Sequence, residues 1–167
     1  MASCSHPDEK QYQSTMDALY TMSHSLAMES SKSRSVDRGQ LLSLVDDDVS
    51  VRESLPDLLG EFGFATRSFS SAEEFLSSDC VDDTGCLILD IAMPGMSGPE
   101  LHQELMRRGR EIPTIFITGQ SDETIRVRLL KQGAVELLLK PLNDEALVAA
   151  IKTALLPKEG SAGRGIK

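Results

Sequence analysis

Hydrophobic and polar positions form two alternating patterns along this chain from residue 41 onward. Short apolar runs predict five β-strands, at residues 41–45, 64–69, 86–89, 113–118 and 135–139. Between these runs, apolar residues recur at helical spacings of three and four over residues 51–62, from residue 70 or 71, and over 99–108, 122–132 and 144–156. Strict alternation of strands and helices favours a parallel sheet with helices on both faces. The predicted fold is α/β, a doubly wound five-stranded parallel sheet.

Individual residues mark where the predicted helices begin, bend and end. Asp48 is interpreted as a helix-start residue, and Ser70 or Ser71 is predicted to cap the second helix. Pro56 lies inside the first helix, where it removes one backbone hydrogen bond and should bend the helix. Gly133 is predicted to end the fourth helix.

The two ends of the chain differ in amino-acid composition from its middle. Residues 1–38 are rich in serine, which indicates a solvated extension. Apolar residues within 13–28 have helical spacing, but short isolated helices are marginal in water, so a helix and a plain linker both stay open. Residues 39–157 are predicted to form a single domain, and 158–167 a flexible tail. Neither an internal repeat nor a second domain is recognisable.

Composition excludes several classes of function. Hydrophobic residues make up 40 % of the 167 residues and charged residues 26 %, which is typical of a globular protein. The net charge of −9 argues against direct binding to nucleic acid. Neither a secretory leader nor an apolar run long enough for a membrane span is apparent. The three cysteines show no metal-ligand spacing, so a reduced, cytoplasmic protein is expected.

Several polar residues have simple structural interpretations. The histidines show no ligand pattern and are expected at the surface: His6, His24 and His102. Three arginines are expected on a solvated helix end, where cations suit the helix dipole: Arg107, Arg108 and Arg110. Cys86 lies within a predicted strand and is interpreted as a small core residue.

Acidic residues follow two of the predicted strands. Asp46 and Asp47 end the first strand, and Asp90 ends the third and opens into a loop rich in glycine and proline. In a doubly wound sheet of order 2-1-3-4-5 these strands are neighbours, and ligands bind at their carboxyl ends. Two like charges about 4 Å apart repel by roughly 4 kcal/mol at an effective dielectric near 20. The three carboxylates therefore need a cation, and hard oxygen ligands suit Mg²⁺.

A hydroxyl and an ammonium group complete this edge of the predicted sheet. Thr118 ends the fourth strand and Lys140 follows the fifth, so both can bind an anion held by the metal. Acids, a metal, a lysine and a hydroxyl together indicate a phosphoryl-transfer site. Asp90 is central among them and is the candidate nucleophile.

Four motifs in order resemble the receiver domain of two-component response regulators. They cover about residues 41–156 and are Val45-Asp46-Asp47, Asp90 to Gly98 (DIAMPGMSG), Ile117-Thr118-Gly119 and Lys140-Pro141. The segments VDDDVSVRESL and ITGQSD most resemble the nitrogen-fixation-regulator type, which is usually joined to a helix-turn-helix. The resemblance implies the flavodoxin-like receiver fold.

The resemblance also implies a role for each matching residue. Asp90 would accept a phosphoryl group from a sensor histidine kinase or a phosphotransfer protein. Asp47, Asp90 and the Ala92 backbone carbonyl would bind Mg²⁺, with Asp46 assisting through water. Thr118 and Lys140 would grip the phosphoryl oxygens. The Lys140-Pro141 bond would be cis, an isomer found almost only before proline.

Two positions depart from the family pattern and leave the output open. The aromatic residue usual three positions before the lysine is Leu137, and the aromatic usual after Lys-Pro is Leu142. The eleven residues after Leu156 are too few for a helix-turn-helix. A downstream protein is therefore expected to bind the face made by the fourth helix, fifth strand and fifth helix. Arg126, Arg128 and Lys131 lie on that fourth helix.

Three other classes of protein are alternatives to a phosphorylated receiver. An aspartate-nucleophile phosphohydrolase would need an Asp-x-Asp motif on the first strand, whereas here Ala92 occupies the second-acid position. A flavin-binding module of the same fold would need a phosphate loop rich in Ser and Thr after the first strand. A protein-binding receiver that never uses phosphate is harder to separate. The sequence favours a signalling switch that catalyses only its own phosphorylation and dephosphorylation, not an enzyme acting on other substrates.

Overall fold

A computed structural model describes residues 41–157 of the chain. Strands and helices alternate in the order β1 (Leu41–Val45), α1 (Val49–Glu61), β2 (Thr66–Phe69), α2 (Ala72–Ser77), a 3₁₀ turn (Asp79–Val81), β3 (Thr84–Asp90), α3 (Gly98–Arg107), β4 (Thr114–Thr118), α4 (Glu123–Lys131), β5 (Glu136–Leu139) and α5 (Asp144–Leu155). The predicted extension over residues 1–38, with its helix over 13–28, and the tail over 158–167 lie outside the described residues. Within residues 41–157, no helix has the length and apolar character needed to cross a membrane.

The strands form one parallel sheet of order β2-β1-β3-β4-β5, which confirms the predicted fold class. The register aligns the carboxyl ends of the central strands. Val45 pairs with Leu89 and Asp90 with Ile117, while Thr118 pairs with Leu139 at the β4–β5 edge. Side chains that leave these ends therefore meet at a single edge of the sheet.

Two hydrophobic clusters cover the two faces of the sheet. Alternation along β3 divides its apolar residues between them, because successive side chains of a strand point to opposite faces. Leu87 and Leu89 pack with residues of α2, α3 and α4, whereas Cys86 and Ile88 pack with residues of α1 and α5. Cys86 is fully buried, as predicted for a core residue. The sheet is thus buried on both faces, which explains the near-continuous apolar runs of its central strands.

The helix caps agree with the sequence signals. The Asp48 carboxylate accepts a hydrogen bond from the Ser50 N–H at 2.8 Å and caps α1. Ser71 is the cap of α2, and its hydroxyl accepts from the Glu74 N–H. Gly133 follows α4 with φ of +101°, a conformation that glycine adopts without strain.

Pro56 lies inside α1, which continues unbroken to Glu61. Because proline has no N–H, the Arg52 carbonyl lacks its usual donor four residues later. The Ser68 hydroxyl of β2 donates to that carbonyl at 3.4 Å. A neighbouring strand thus supplies the hydrogen bond that the helix cannot.

Two expectations from the sequence are wrong. His102 is buried, with 4 % of its surface exposed, because it lies on the inner side of α3 and its ring meets Phe116 edge-on. The second strand begins at Thr66 rather than at Phe64. The Phe64 N–H is used elsewhere, because it donates to the Leu59 carbonyl and closes the end of α1. The remaining predicted boundaries agree with the structure to within two residues, and that of β1 agrees at both ends.

Candidate functional site

Three carboxylates meet at the carboxyl ends of β1 and β3. Asp46 and Asp47 directly follow β1, and Asp90 is the last residue of β3. One oxygen from each of these residues, here called the acid cluster, lies within 4.8 Å of the others. Asp46 is fully buried and Asp90 almost so, whereas Asp47 is exposed. The sequence prediction that these acids converge is therefore confirmed as geometry.

Both carboxylate oxygens of Asp46 have fixed partners. Oδ1 accepts from the Asp48 N–H at 2.8 Å, and Oδ2 accepts from Lys140 Nζ at 2.9 Å. The Arg52 guanidinium donates to the Asp46 backbone carbonyl at 2.8 Å. This buried acid is held from three directions, which fixes the position of the β1–α1 loop.

Lys140 is the cation of the site. Its Nζ lies 2.9 Å from Asp46 Oδ2 and 3.5 Å from Asp90 Oδ1, and the side chain is 23 % exposed. Burial lowers the pKa of Lys140, but the hydrogen bond to Asp46 and the charges of Asp46 and Asp90 outweigh it and raise the pKa. Lys140 therefore stays protonated, and it links the last strand to the first and third.

Asp90 lies in an environment that disfavours its charge. Burial, together with the charges of Asp46 and Asp47, raises its pKa to about 6, against the opposing effect of Lys140. Like charges in a poorly solvated site produce this direction of shift. An added cation would reverse it, so the local electrostatics favour the binding of positive charge.

Thr118 and Lys140 are brought together with Asp90 as predicted. The Lys140 N–H donates to the Thr118 carbonyl at 2.7 Å, and the Thr118 hydroxyl accepts from the Gln120 N–H at 3.2 Å. Asp90, Ala92, Thr118 and Lys140 line one cavity of about 410 Å³. The Lys140-Pro141 peptide bond is cis, which confirms that prediction.

The β3–α3 loop begins with Ile91 and passes over the site before α3. The Gly98 N–H returns to the Ile91 carbonyl at 3.1 Å and closes the loop. A Cβ at Gly98 would overlap the Asp90 carbonyl oxygen, so this position has space only for glycine. The loop places Ala92 at the exposed mouth of the cavity.

The site cavity is also lined by Leu137. Leu137 is 8 % exposed and lies between the site cavity and a second cavity of about 300 Å³ that is also lined by Arg126 and Leu139. Arg126 is not a free cation, because its guanidinium pairs with Glu136 at 3.0 Å. We call Thr118, Leu137 and α4 the output side.

Two side chains near the site carry no sequence signal for their contacts. Arg52 belongs to the amphipathic pattern of α1, and nothing in its spacing indicates a bond to the Asp46 carbonyl. Glu73 fits an ordinary acidic first turn, yet its carboxylate accepts from the Met96 N–H, 23 residues away. Both contacts depend on tertiary packing.

The donor set fits a hard divalent cation. It consists of oxygen ligands only, three carboxylates within 4.8 Å of one another, and one of them is open to solvent. Mg²⁺ is commonly bound by one or two carboxylates and retains several waters. The repulsion inside the acid cluster supplies a physical reason for such an ion.

Comparisons with known proteins agree on one family. A family model described as the response regulator receiver domain matches residues 42–152. The response regulator protein TodT of Pseudomonas putida is 41 % identical over 119 residues, which cover 71 % of this chain and 52 % of TodT. Nodulation protein W of Bradyrhizobium diazoefficiens is 44 % identical over 111 residues, which cover 66 % of this chain and 49 % of that protein.

A solved structure extends this similarity to the backbone. The crystal structure of FixJ-N matches with a TM-score of 0.63 at 39 % identity, covering 69 % of this chain and 92 % of that one. The chain spans about half the length of the curated relatives it matches.

Proposed function

Because the chain belongs to the receiver domain family of two-component response regulators, we propose that it is a phosphorylation-dependent signalling switch with Asp90 as phosphoacceptor. The observation that carries the proposal is the position of Lys140 Nζ between Asp46 and Asp90 at the shared strand edge. A lysine held there can neutralise an anion on Asp90 without any rearrangement of the sheet.

The residues that would hold Mg²⁺ are Asp47, Asp90 and the Ala92 carbonyl, with Asp46 assisting through water. Asp46 is suited to this indirect role because both of its oxygens already have partners. When bound, the ion would neutralise negative charge on the phosphoryl oxygens and on the acid cluster.

The chain's own residues supply the groups that phosphoryl transfer requires. An ionised Asp90 oxygen attacks phosphorus, the bond from phosphorus to the donor breaks, and its electron pair leaves with the donor atom. With a phosphohistidine donor, that atom is an imidazole nitrogen. Lys140 Nζ and the Thr118 hydroxyl then bind phosphoryl oxygens, because the Asp46 carboxylate holds the ammonium in place and the Gln120 N–H donates to the hydroxyl.

We propose a sensor histidine kinase or a phosphotransfer protein as the donor. Its phosphohistidine must reach Asp90, so the donor must cover elements that adjoin the site. An apolar groove between α1 and the β5–α5 loop meets this requirement, because Val51, Leu58 and Leu142 line it beside Lys140. Docking there would bring a donor helix next to the acceptor.

The output is proposed to be a protein contact. Arg128 and Lys131 are exposed on α4, and they make the α4–β5–α5 face attractive to an acidic partner or to a second receiver. The net charge of −9 supports protein partners rather than nucleic acid, and we place the protein in the cytoplasm. Its only catalysis would be its own phosphorylation and dephosphorylation.

Labelling with acetyl phosphate tests the phosphoacceptor directly. With Mg²⁺ present, one hydroxylamine-sensitive phosphoryl group should appear on Asp90 and be located by mass spectrometry. Asp90→Asn should abolish the label and Lys140→Ala should sharply reduce it. Asp48→Asn is the matched control, because Asp48 is a neighbouring acid whose carboxylate only caps α1.

Three results would contradict the proposal. An unlabelled wild type would indicate a receiver that binds partners without phosphate. A label on another residue would overturn the assignment of Asp90. Sustained turnover of a phosphatase substrate would instead favour a phosphohydrolase.

A further inference from the structure

The loop between Asp90 and α3 must hold its shape for the proposed metal site to exist. It carries Ala92, whose backbone carbonyl is one of the proposed ligands. A carbonyl can be moved only with its backbone, unlike a carboxylate on a rotatable side chain. The anchors of this loop therefore bear on metal binding.

Backbone hydrogen bonds fix both ends of the loop. The Ile91 N–H donates to the Ile117 carbonyl at 3.0 Å, and the Gly98 N–H donates to the Ile91 carbonyl at 3.1 Å. Residues 92–97 lie between these anchors. Ser97 is held by its capping box with Glu100, whereas Ala92 and Gly95 are exposed and residues 92–96 form the middle of the loop. The ends alone leave the middle of the loop to be held by something else.

One side chain from another helix reaches this middle section. Glu73 of α2 accepts a hydrogen bond from the Met96 N–H through Oε1 at 3.0 Å. In the part of the chain that the structure describes, no other side chain is hydrogen-bonded to residues 92–96. The Met93 side chain adds an apolar contact, since it is buried in the cluster that also contains Phe75 of α2.

A second feature of the loop points to the same carboxylate. Gly95 has φ of +75°, and a Cβ at this position would lie 2.9 Å from Glu73 Oε1. The turn at Gly95 thus brings the backbone close to Glu73, which allows the adjacent Met96 N–H to donate to its carboxylate. The close approach of Gly95 and the hydrogen bond from Met96 therefore involve the same atom, Glu73 Oε1.

Glu73 is itself well positioned and ionised. It lies in the first turn of α2, between Ala72 and Phe75, the cap Ser71 precedes it, and both Ala72 and Phe75 are fully buried. Its own backbone N–H and that of Met96 hold the pKa of Glu73 below its usual value. Hydrogen bonds to an ionised acceptor are stronger than those between neutral groups.

We propose that Glu73 is a positioning residue of the phosphoacceptor site, whose carboxylate fixes the β3–α3 loop so that the Ala92 carbonyl can bind Mg²⁺ beside Asp90. This inference rests on the proposed function. Glu73 acts through the loop and touches neither metal nor phosphoryl group. Loss of its bond should weaken metal binding more than it slows phosphoryl transfer at saturating metal.

Three variants separate positioning from simple stability. Glu73→Ala removes the acceptor, and Glu73→Gln keeps an acceptor oxygen without the charge. Glu74→Ala is the matched control, because Glu74 is exposed in the same turn but accepts from Ser70 instead. For each protein, Mg²⁺ affinity, acetyl phosphate labelling across Mg²⁺ concentrations, and hydrogen exchange at the Met96 amide are measured.

In Glu73→Ala, Mg²⁺ affinity should fall by about tenfold, the loss typical when a group that orients a metal ligand is removed. Labelling should need correspondingly more Mg²⁺, with the rate at saturation within about twofold of wild type, and Met96 exchange should quicken. Glu73→Gln should recover most of the affinity and of the protection. Glu74→Ala should leave all three measurements near wild type.

The inference is overturned if Glu73→Ala binds Mg²⁺ as wild type does, or if Glu74→Ala loses the same affinity. In either case a labelled wild type leaves the proposed function standing. A wild type that neither binds Mg²⁺ nor becomes labelled removes both proposals together.

Discussion

The acid cluster and the output side lie at one edge of the same sheet, yet they are held very differently. Asp46 has fixed partners on both carboxylate oxygens and on its carbonyl, and Lys140 bridges it to Asp90. On the output side, the Thr118 hydroxyl accepts from the adjacent Gln120 N–H, and cavities lie on both sides of Leu137. The acid cluster is closely hydrogen-bonded, whereas Leu137 on the output side borders a second cavity that neither the acid cluster nor Lys140 lines.

This difference separates two tasks that a receiver must combine. On the proposed function, phosphoryl chemistry would require groups at fixed distances, and the acid cluster and Lys140 are the groups that would provide them. Transmission requires an element with two conformations. The free-energy difference between these conformations can shift by no more than the difference in their free energies of contact with the phosphoryl group. A leucine at position 137 moves less volume between rotamers than an aromatic ring would. We therefore expect intact chemistry with weak propagation across α4.

Removal of the Lys140 cation should give the largest effect. Lys140→Ala leaves the buried acids uncompensated and should lower the free energy of unfolding by about 3 kcal/mol without metal. Urea denaturation at low salt measures the change, and Mg²⁺ should restore part of it. Arg126→Ala is the comparison on the output side, where loss of the exposed pair with Glu136 should cost less than about 1 kcal/mol. Equal losses would contradict the contrast between the two sides.

Metal should stabilise the acid cluster by a similar amount. Mg²⁺ at a hundredfold excess over its dissociation constant should add about 2.7 kcal/mol to the free energy of unfolding. Asp90→Asn removes one of the repelling charges and should raise stability without metal by about 2 kcal/mol. Thermal melts with and without Mg²⁺ measure both effects. Leu137→Tyr should keep the full metal increment, and the absence of any thermal shift in wild type would argue against the metal site.

His102 provides a smaller, pH-dependent test outside both regions. Burial lowers its pKa, so the unfolded chain binds its proton more readily than the folded one. The contribution of neutral His102 to the free energy of unfolding is present above its unfolded pKa near 6.5 and is lost as the pH falls below that value. In an Asp90→Asn background, the free energy of unfolding should therefore drop between pH 7 and pH 5. His102→Phe should flatten this slope, and an unchanged slope would mean that other groups cause it.

The smallest expected effect concerns propagation through Leu137. A beryllofluoride adduct, which stands in for the phosphoryl group, should shift the amide resonances of Asp90 and Thr118 strongly. Shifts near Leu137 and along α4 should be weaker in wild type than in Leu137→Tyr. A tyrosine ring at position 137 can fill the cavity beside it and change position when the Thr118 hydroxyl moves. If both proteins give the same pattern on α4, the missing aromatic has no consequence.

The convergence of these side chains was predictable because they occupy strand ends. In a parallel sheet the carboxyl ends align, so Asp90, Thr118 and Lys140 are brought together by topology alone. The apolar runs allowed that topology to be predicted, because a strand buried on both faces has an almost continuous run of apolar residues. Deviations occurred where a local hydrogen bond decided the boundary, as with the Phe64 N–H that closes α1.

Residues that act through long-range packing could not be predicted. His102 is a different case: it was expected at the surface, although its spacing of three from the buried Leu105 places it on the inner side of α3, where it packs on Phe116. Glu73 and Arg52 bond to backbone groups, and a backbone acceptor or donor leaves no sequence signature. Their contacts depend on the angle at which helices meet the sheet.

The bond between Asp46 and Lys140 has a consequence for the newly made chain. These residues are 94 positions apart, which corresponds to about 5–20 s of ribosomal synthesis. During that interval the acids of β1 and β3 exist without their ammonium partner, and β5 is missing from the edge of the sheet. A nascent chain therefore lacks the ammonium group proposed to bind a phosphoryl oxygen. On the proposed function, competence to accept a phosphoryl group would arrive only with Lys140 after β5, so a copy not yet extended to that point would not draw phosphoryl groups away from finished ones.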